Sequence, residues 1–267
     1  MSKVVLITGG SSGIGKSIGE FLTEKGYIVY GTSRNPQNYI NSKFPIIALD
    51  VTDSTSISIA VNHLLESQGK IDVLINNAGV GITGPIEEIP ESEIKSNFDT
   101  NFFGPINVIK AVLPQMRKQQ SGLIINITSI AGYMGLPYRG VYSASKAALE
   151  ILTEAFRMEI KDFNIQMTNI APGDFATNIA SGRFHAPVLE SSPYRTTYGN
   201  SLKLIDEHVN DGKDPFLMAK AVYKVMNTKQ PKIHYKVGEF MQKFSIVLKR
   251  ILPDKVYEKL LLNHYKL

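Results

Sequence analysis

Apolar residues in this chain fall into short unbroken runs, and the stretches between the runs carry helical spacing. Val4-Val5-Leu6-Ile7 is the first run, and its lack of alternation predicts a strand buried on both faces of a parallel sheet. Comparable strands are expected at residues 27–34, 45–51, 71–75, 122–127 and 165–170, with a last strand at 231–235. Ile18, Phe21 and Leu22 follow the first run at helical spacing, and Ile57, Val61 and Leu64 follow the third. A long helix is expected from Pro90 to Lys118, another from Tyr142 to Phe163, and a further one after Asp214-Pro215-Phe216. Strand and helix therefore alternate. That pattern predicts an α/β fold, one doubly wound parallel sheet with helices on both faces.

Between the first run and the first helix lies Thr8-Gly9-Gly10-Ser11-Ser12-Gly13-Ile14-Gly15. A strand, a glycine turn and a helix in that order form the Rossmann context for dinucleotide binding. Gly9 permits a tight turn, while Gly13 and Gly15 admit a pyrophosphate and close helix–strand packing. Unpaired N–H groups at the helix start favour phosphate, so Ser11, Ser12 and Ile14 belong to the same cradle. The second strand ends in Ser33 and Arg34, where an acidic residue would hold the ribose hydroxyl of NAD. An arginine there suits a 2′-phosphate, so NADP is the expected cofactor. Asp50 and Val51 close the third strand and are expected to face the adenine. Asn77, Ala78 and Gly79 form a small-residue turn after the fourth strand, suited to close backbone approach.

Tyr142 and Lys146 stand four residues apart on one face of an expected helix. A free phenol has a pKa of about 10. A cation at roughly 4 Å, at an effective dielectric of about 20, stabilises its anion by about 4 kcal/mol before desolvation is subtracted. The pair thus suits a general acid or base. Spacing alone decides nothing, since Tyr39 and Lys43 repeat it in a polar stretch without a helical face. Ser129 closes the fifth strand, at the edge where open α/β sheets bind ligands. Asn101 lies inside a helix, where asparagine is poorly favoured, and needs either solvent or a polar task.

Composition narrows the function classes. The 267 residues are 43% hydrophobic and 20% charged, which suits one domain spanning 1–267. Cysteine is absent, which excludes disulfides, thiolate catalysis and cysteine zinc sites; His185 stands alone, and no metal site is expected. There is no tryptophan, zinc-finger spacing or arginine-rich run, so nucleic acid is not an expected partner. The net charge of +5 suits a phosphorylated cofactor or an anionic membrane surface. No segment resembles a secretory leader or a membrane span, and a cytoplasmic location is expected.

Taken in order, Thr8-Gly9 through Gly15, residues 76–79 as Asn-Asn-Ala-Gly, Asn101, Ser129, Tyr142 with Lys146, and Pro172-Gly173 resemble the short-chain dehydrogenase/reductase family. The resemblance spans roughly residues 1–180. It implies an oxidoreductase moving hydride between NADP(H) and a carbonyl or secondary alcohol. Tyr142 would transfer the proton, Lys146 would support Tyr142 and hold the ribose, and Ser129 would orient the substrate oxygen. Asn101 would hold a water linking Lys146 to solvent. Pro172, Gly173 and Thr177 would lie against the nicotinamide. The family commonly forms homodimers or homotetramers; the alanine-rich face of the Tyr142 helix would pack on a second subunit or on its own sheet. Epimerase or dehydratase chemistry on the same fold, and a cofactor-sensing regulator, remain the alternatives.

Residues 175–200 break into Gly, Pro, Ser and Tyr and are expected to form a substrate lid, with Phe184 and Tyr194 touching substrate or packing on the core. Beyond the last strand, residues 238–267 read as two basic amphipathic helices broken at Pro253, a C-terminal helical extension. Their apolar faces would either dock on a membrane or pack on the domain or a partner subunit. This extension resembles the branch of 17β-hydroxysteroid and retinol dehydrogenases, which implies a hydrophobic steroid-, retinoid- or lipid-like substrate.

Overall fold

In the computed structural model, which describes residues 2–176, 182–210 and 212–267, the first apolar run is β1 (Val4–Ile7). Its side chains divide between two layers. Val4 and Leu6 face one core and Val5 and Ile7 the other, each no more than 1% exposed. The strands that follow are β2 (Ile28–Ser33), β3 (Ile46–Ala48), β4 (Val73–Asn76), β5 (Ile82–Thr83), β6 (Gly122–Ile127), β7 (Ile165–Pro172), β8 (Phe184–His185) and β9 (His234–Val237). Seven of them form one parallel sheet in the order β3-β2-β1-β4-β6-β7-β9. All seven expected strands are present, but the third is cut to Ile46–Ala48, which leaves Asp50 and Val51 past its end instead of closing it. The last begins three residues late, at His234; ahead of it the Ile233 carbonyl accepts from the Asn169 N–H at 2.7 Å and the Lys232 carbonyl from the Thr168 hydroxyl at 2.7 Å.

The helices are α1 (Gly13–Glu24), α2 (Ser54–Gln68), α3 (Glu91–Phe98), α4 (Gly104–Gln119), α5 (Gly140–Glu159), α6 (Arg195–Asn210), α7 (Phe216–Met226), α8 (Phe240–Ile251) and α9 (Asp254–Tyr265). Helices α2 and α4 cover one face, where Val61, Leu64, Val108 and Val112 meet Leu6, Leu74 and Ile124. Helices α1 and α7 cover the other, where Ile18, Leu22, Met218 and Val222 meet Ile7, Ile75 and Ile170. Each fully buried Ile or Leu adds roughly 1.5–3 kcal/mol. Because β1 has β2 on one side and β4 on the other, chain direction across the sheet reverses there. That reversal opens a crevice at the carboxyl ends of the strands.

Three expectations change. The long helix over 90–118 is interrupted by a π-helical turn, Asp99–Phe103, which inserts one extra residue between α3 and α4. The helix expected over 142–163 starts earlier, at Gly140, and ends at Glu159, with a 3-10 turn over Lys161–Phe163. The stretch 175–200 is not a plain loop. Phe184 and His185 pair in parallel with Ile82 and Thr83, and α6 begins inside the stretch at Arg195. A two-residue strand is held by its distant partner and leaves no periodic signal of its own.

The tail forms the two expected helices, with Pro253 between them. Helix α8 opens with a reciprocal cap in which Glu239 and Gln242 satisfy each other's backbone N–H groups. Ile246 and Tyr257 bury against Ile130, Met134 and Ala171, next to the carboxyl end of β7.

Candidate active site

A cleft of about 590 Å³ runs along the carboxyl edge of the sheet. Its walls include the predicted Gly9, Ser11, Ser12, Gly13, Ile14, Ser33, Arg34, Asp50, Val51, Asn77, Ala78, Gly79, Tyr142, Lys146 and Pro172. Gly9 sits at φ +65°, a conformation that glycine adopts without a Cβ clash. The glycine turn is tied to the end of β4. The Thr8 hydroxyl accepts from the Asn77 and Ala78 N–H groups at 3.0 and 3.1 Å. The Asn77 amide donates to the Thr8 and Gly9 carbonyls at 3.1 and 3.0 Å. Gly15 is buried beneath the wall, where a Cβ would run into the Gly9 carbonyl and stand 2.5 Å from the Asn77 amide nitrogen. The Ser12 side chain makes no cap bond at the start of α1, and the first turn holds no acidic residue. The α1 N–H groups are therefore suited to an anion. This glycine-lined cradle, leading to Arg34 at one end and Lys146 at the other, fits a dinucleotide.

Helix α5 carries Tyr142 and Lys146 onto the cleft wall. Lys146 is 5% exposed; its Nζ donates to the Ile127 carbonyl at 3.1 Å and lies 6.0 Å from the centre of the Tyr142 ring. Burial pulls the Lys146 ammonium below its usual range, while Tyr142 and Glu150 act in the opposite direction. A Cβ on Gly79 would sit 3.1 Å from Asn101 Oδ1 and 3.2 Å from Lys146 Nζ, so the three residues converge on one point.

Asn101 is fully buried in the π-helical turn, behind the wall rather than on it. Its amide grips the Val80 peptide from both sides, accepting from the N–H at 2.8 Å and donating to the carbonyl at 2.9 Å. Asn97 donates to the same carbonyl at 3.0 Å, and the Asn101 amide also reaches Asn97 Oδ1 and Ser145 Oγ. The side chain of Asn101 therefore builds the turn at residues 79 and 80. Asn97 was not foreseen. Its only sequence signal is a second asparagine one helical turn before the first.

A smaller recess of about 70 Å³ opens beside the cleft, lined by Ser129, Tyr142, Pro172, Gly173, Ile14, Gly81, Ile82, Arg139, Asp174, Phe175 and Arg183. Ser129 and Tyr142 thus share one wall. The Ser129 oxygen accepts from the Ala131 N–H at 3.1 Å, which leaves its hydroxyl proton to donate elsewhere. Sequence reasoning missed Arg139, whose guanidinium stands 5.5 Å from the Tyr142 ring centre. It also missed Asp174, which accepts from the Gln242 amide at 2.7 Å. Phe184 and Tyr194 do not line either cavity; they pack with Ile82, Val141 and Tyr198 behind the recess. Pairing of β8 with β5 turns Phe184 into that cluster. Thr177 and part of the expected lid lie outside the described residues.

The profile of the short chain dehydrogenase family matches residues 3–187. The chain is 42% identical over 257 residues to a 3-ketodihydrosphingosine reductase of Bacteroides thetaiotaomicron, covering 96% of this chain and 95% of that protein. It is 30% identical to an NADPH-dependent 3-dehydrocapnine reductase of Ornithobacterium rhinotracheale, covering 99% and 98%. Among solved structures, a short-chain dehydrogenase from Streptomyces avermitilis superposes with a TM-score of 0.85 at 31% identity, covering 100% of this chain and 97% of that one.

Proposed function

Because the chain belongs to the short chain dehydrogenase family, oxidoreductases that use a nicotinamide cofactor, we propose that it reduces a long-chain, lipid-like ketone with NADPH. The observation that carries this reading is the meeting of Ser129 and Tyr142 in one recess, with buried Lys146 directly behind. The nicotinamide supplies the hydride when bound. The residues of the glycine turn would hold its pyrophosphate, those at 77–79 and Pro172 its nicotinamide half, and Arg34 its 2′-phosphate.

Ser129 donates to the substrate carbonyl oxygen and fixes its direction. Tyr142 delivers the proton to that oxygen. Lys146 and a Tyr142 phenolate stabilise each other once the proton has left. Asn101 keeps the turn at residues 79 and 80 closed against Lys146.

The lipid-like substrate rests on likeness to reductases of 3-ketodihydrosphingosine and 3-dehydrocapnine, and on the tail. On α8, Phe240 is 72% exposed and Ile251 67%, with Phe244 and Val247 on the same stripe and Lys243 and Arg250 along its edge. Such a face suits an anionic membrane surface. Gln242, on the opposite face of the same helix, reaches Asp174 at the recess, so α8 is anchored there with its exposed stripe turned outward. Ala144, Ile151, Ala155 and Met158 form a second exposed stripe along α5, which suits a homo-oligomer.

NADPH oxidation with 3-ketodihydrosphingosine, a steroid ketone, retinal and small polar ketones tests the substrate class. The long-chain ketone should turn over best, and Tyr142→Phe should lose about 10²–10⁴-fold in kcat while still binding cofactor. Equal turnover of small polar ketones, or an active Tyr142→Phe enzyme, overturns the reading.

A further inference from the structure

One ionisable cluster lies outside the chemistry described so far. Glu150 follows Lys146 by one turn on the buried face of α5 and is 5% exposed. A carboxylate this deep is found only where donors satisfy it. Here four residues do so. Thr128 donates its hydroxyl to Oε1. Oε2 accepts from Tyr133 at 2.9 Å, His234 Nδ1 at 2.6 Å and Asn169 at 3.1 Å. The other ring nitrogen of His234 stands 2.9 Å from Glu154 at the surface. Both imidazole contacts are donations only when the ring carries two protons.

The cluster has a clear position relative to the site. Along one face of α5, Lys146 donates to the Ile127 carbonyl, Glu150 accepts from Thr128, and Thr153 accepts from Asn126. Three consecutive residues at the end of β6 and just beyond it are thus pinned by three successive turns of the helix. Ser129 is the next residue.

We propose that Glu150 is a positioning residue of this site: the resident countercharge of Lys146 and the brace of the strand end that carries Ser129. The charges around it support this assignment. On α5 itself, Tyr142 and Glu150 oppose the effect of burial on Lys146. From the turn after Ser129, Tyr133 faces Glu150, and its phenol is raised by burial first and then by that carboxylate. From β9 come His234 and Lys236, and from α8 Arg250, which bears on Tyr133 and Lys236. Glu154 completes the set at the surface. Glu150 is the acidic side chain that α5 buries one turn from Lys146, on the same face.

Glu150→Gln keeps the shape and removes the charge. The alkaline limb of the kcat–pH profile should then move to lower pH by roughly one unit, the low end of the effect of a neighbouring opposite charge. Cofactor affinity at neutral pH should change by less than about threefold, since Glu150 lines neither cavity. Glu150→Asp, which keeps the charge, should hold the limb closer to its original position than Glu150→Gln does. A purely structural carboxylate would lower activity at every pH and leave the limb in place, and that result overturns the proposal. A denaturant double-mutant cycle with Lys146→Met tests the same point without turnover, so it stands apart from the reductase reading. Glu150→Gln should cost more stability with Lys146 present than with Met; additive costs overturn it. Should Glu150→Gln alone fail to fold, adding Lys146→Met should restore folding, and a double variant that stays unfolded overturns the proposal.

Discussion

Arg34→Ala should separate the two nicotinamide cofactors on a single side chain. Arg34 is exposed at the end of β2, on the cleft wall with Ser33, Asn35 and Asn38. The neighbouring Asp50 carboxylate is occupied by Thr52, accepting from its N–H at 2.9 Å and its hydroxyl at 2.7 Å. At roughly 4 Å, a unit charge pair is worth about 1 kcal/mol in water and about 4 at an effective dielectric of 20. Exposure and physiological salt place Arg34 toward the lower end, about 1–2 kcal/mol. Since about 1.4 kcal/mol is tenfold, NADPH should bind about 5- to 30-fold more weakly to Arg34→Ala. NADH, which has no 2′-phosphate, should bind as before. Fluorescence titration of both nucleotides at two salt concentrations measures this, and the NADPH penalty should shrink as salt rises. Equal weakening of both nucleotides, or of neither, would refute the assignment of Arg34 to the phosphate.

Other outcomes follow from the same geometry. Gly15→Ala drives a Cβ into the Gly9 carbonyl and the Asn77 amide; it should cost roughly 1–3 kcal/mol of stability and weaken cofactor binding, whereas Gly135→Ala, with open space around it, should change neither. Lys146→Met should abolish turnover yet raise Tm at neutral pH, by about 3 °C for each kcal/mol of burial cost relieved. The sign follows from the lowered Lys146 pKa: the unfolded chain binds more protons between the folded value and 10.5, so wild-type stability rises with pH there and the Tm gap should close toward that pH. Phe240→Ser with Phe244→Ser should reduce flotation with anionic vesicles while leaving turnover of a soluble ketone intact; a loss of dimer instead, read by light scattering, would assign that stripe to a second copy.

What the amino-acid order determined was everything carried by local periodicity. Unbroken apolar runs need two covered faces, so they specify parallel strands, and the helical spacing between them supplies the covers. Thr8 to Gly15 declares its own turn because only glycine suits the φ at Gly9, and Tyr142 and Lys146 share a face because a helix repeats every 3.6 residues. Pro253 parts the two tail helices through its fixed ring. Contacts between distant segments were decided by the tertiary structure. The Asn97 and Asn101 grip on Val80, the pairing of β5 with β8, the approach of Arg139 and Asp174 to Ser129, and the closure of His234 on Glu150 each join residues on separate elements. Such polar groups carry no periodicity. They become visible only when packing brings donor to acceptor within about 3 Å and excludes the water that would otherwise satisfy both.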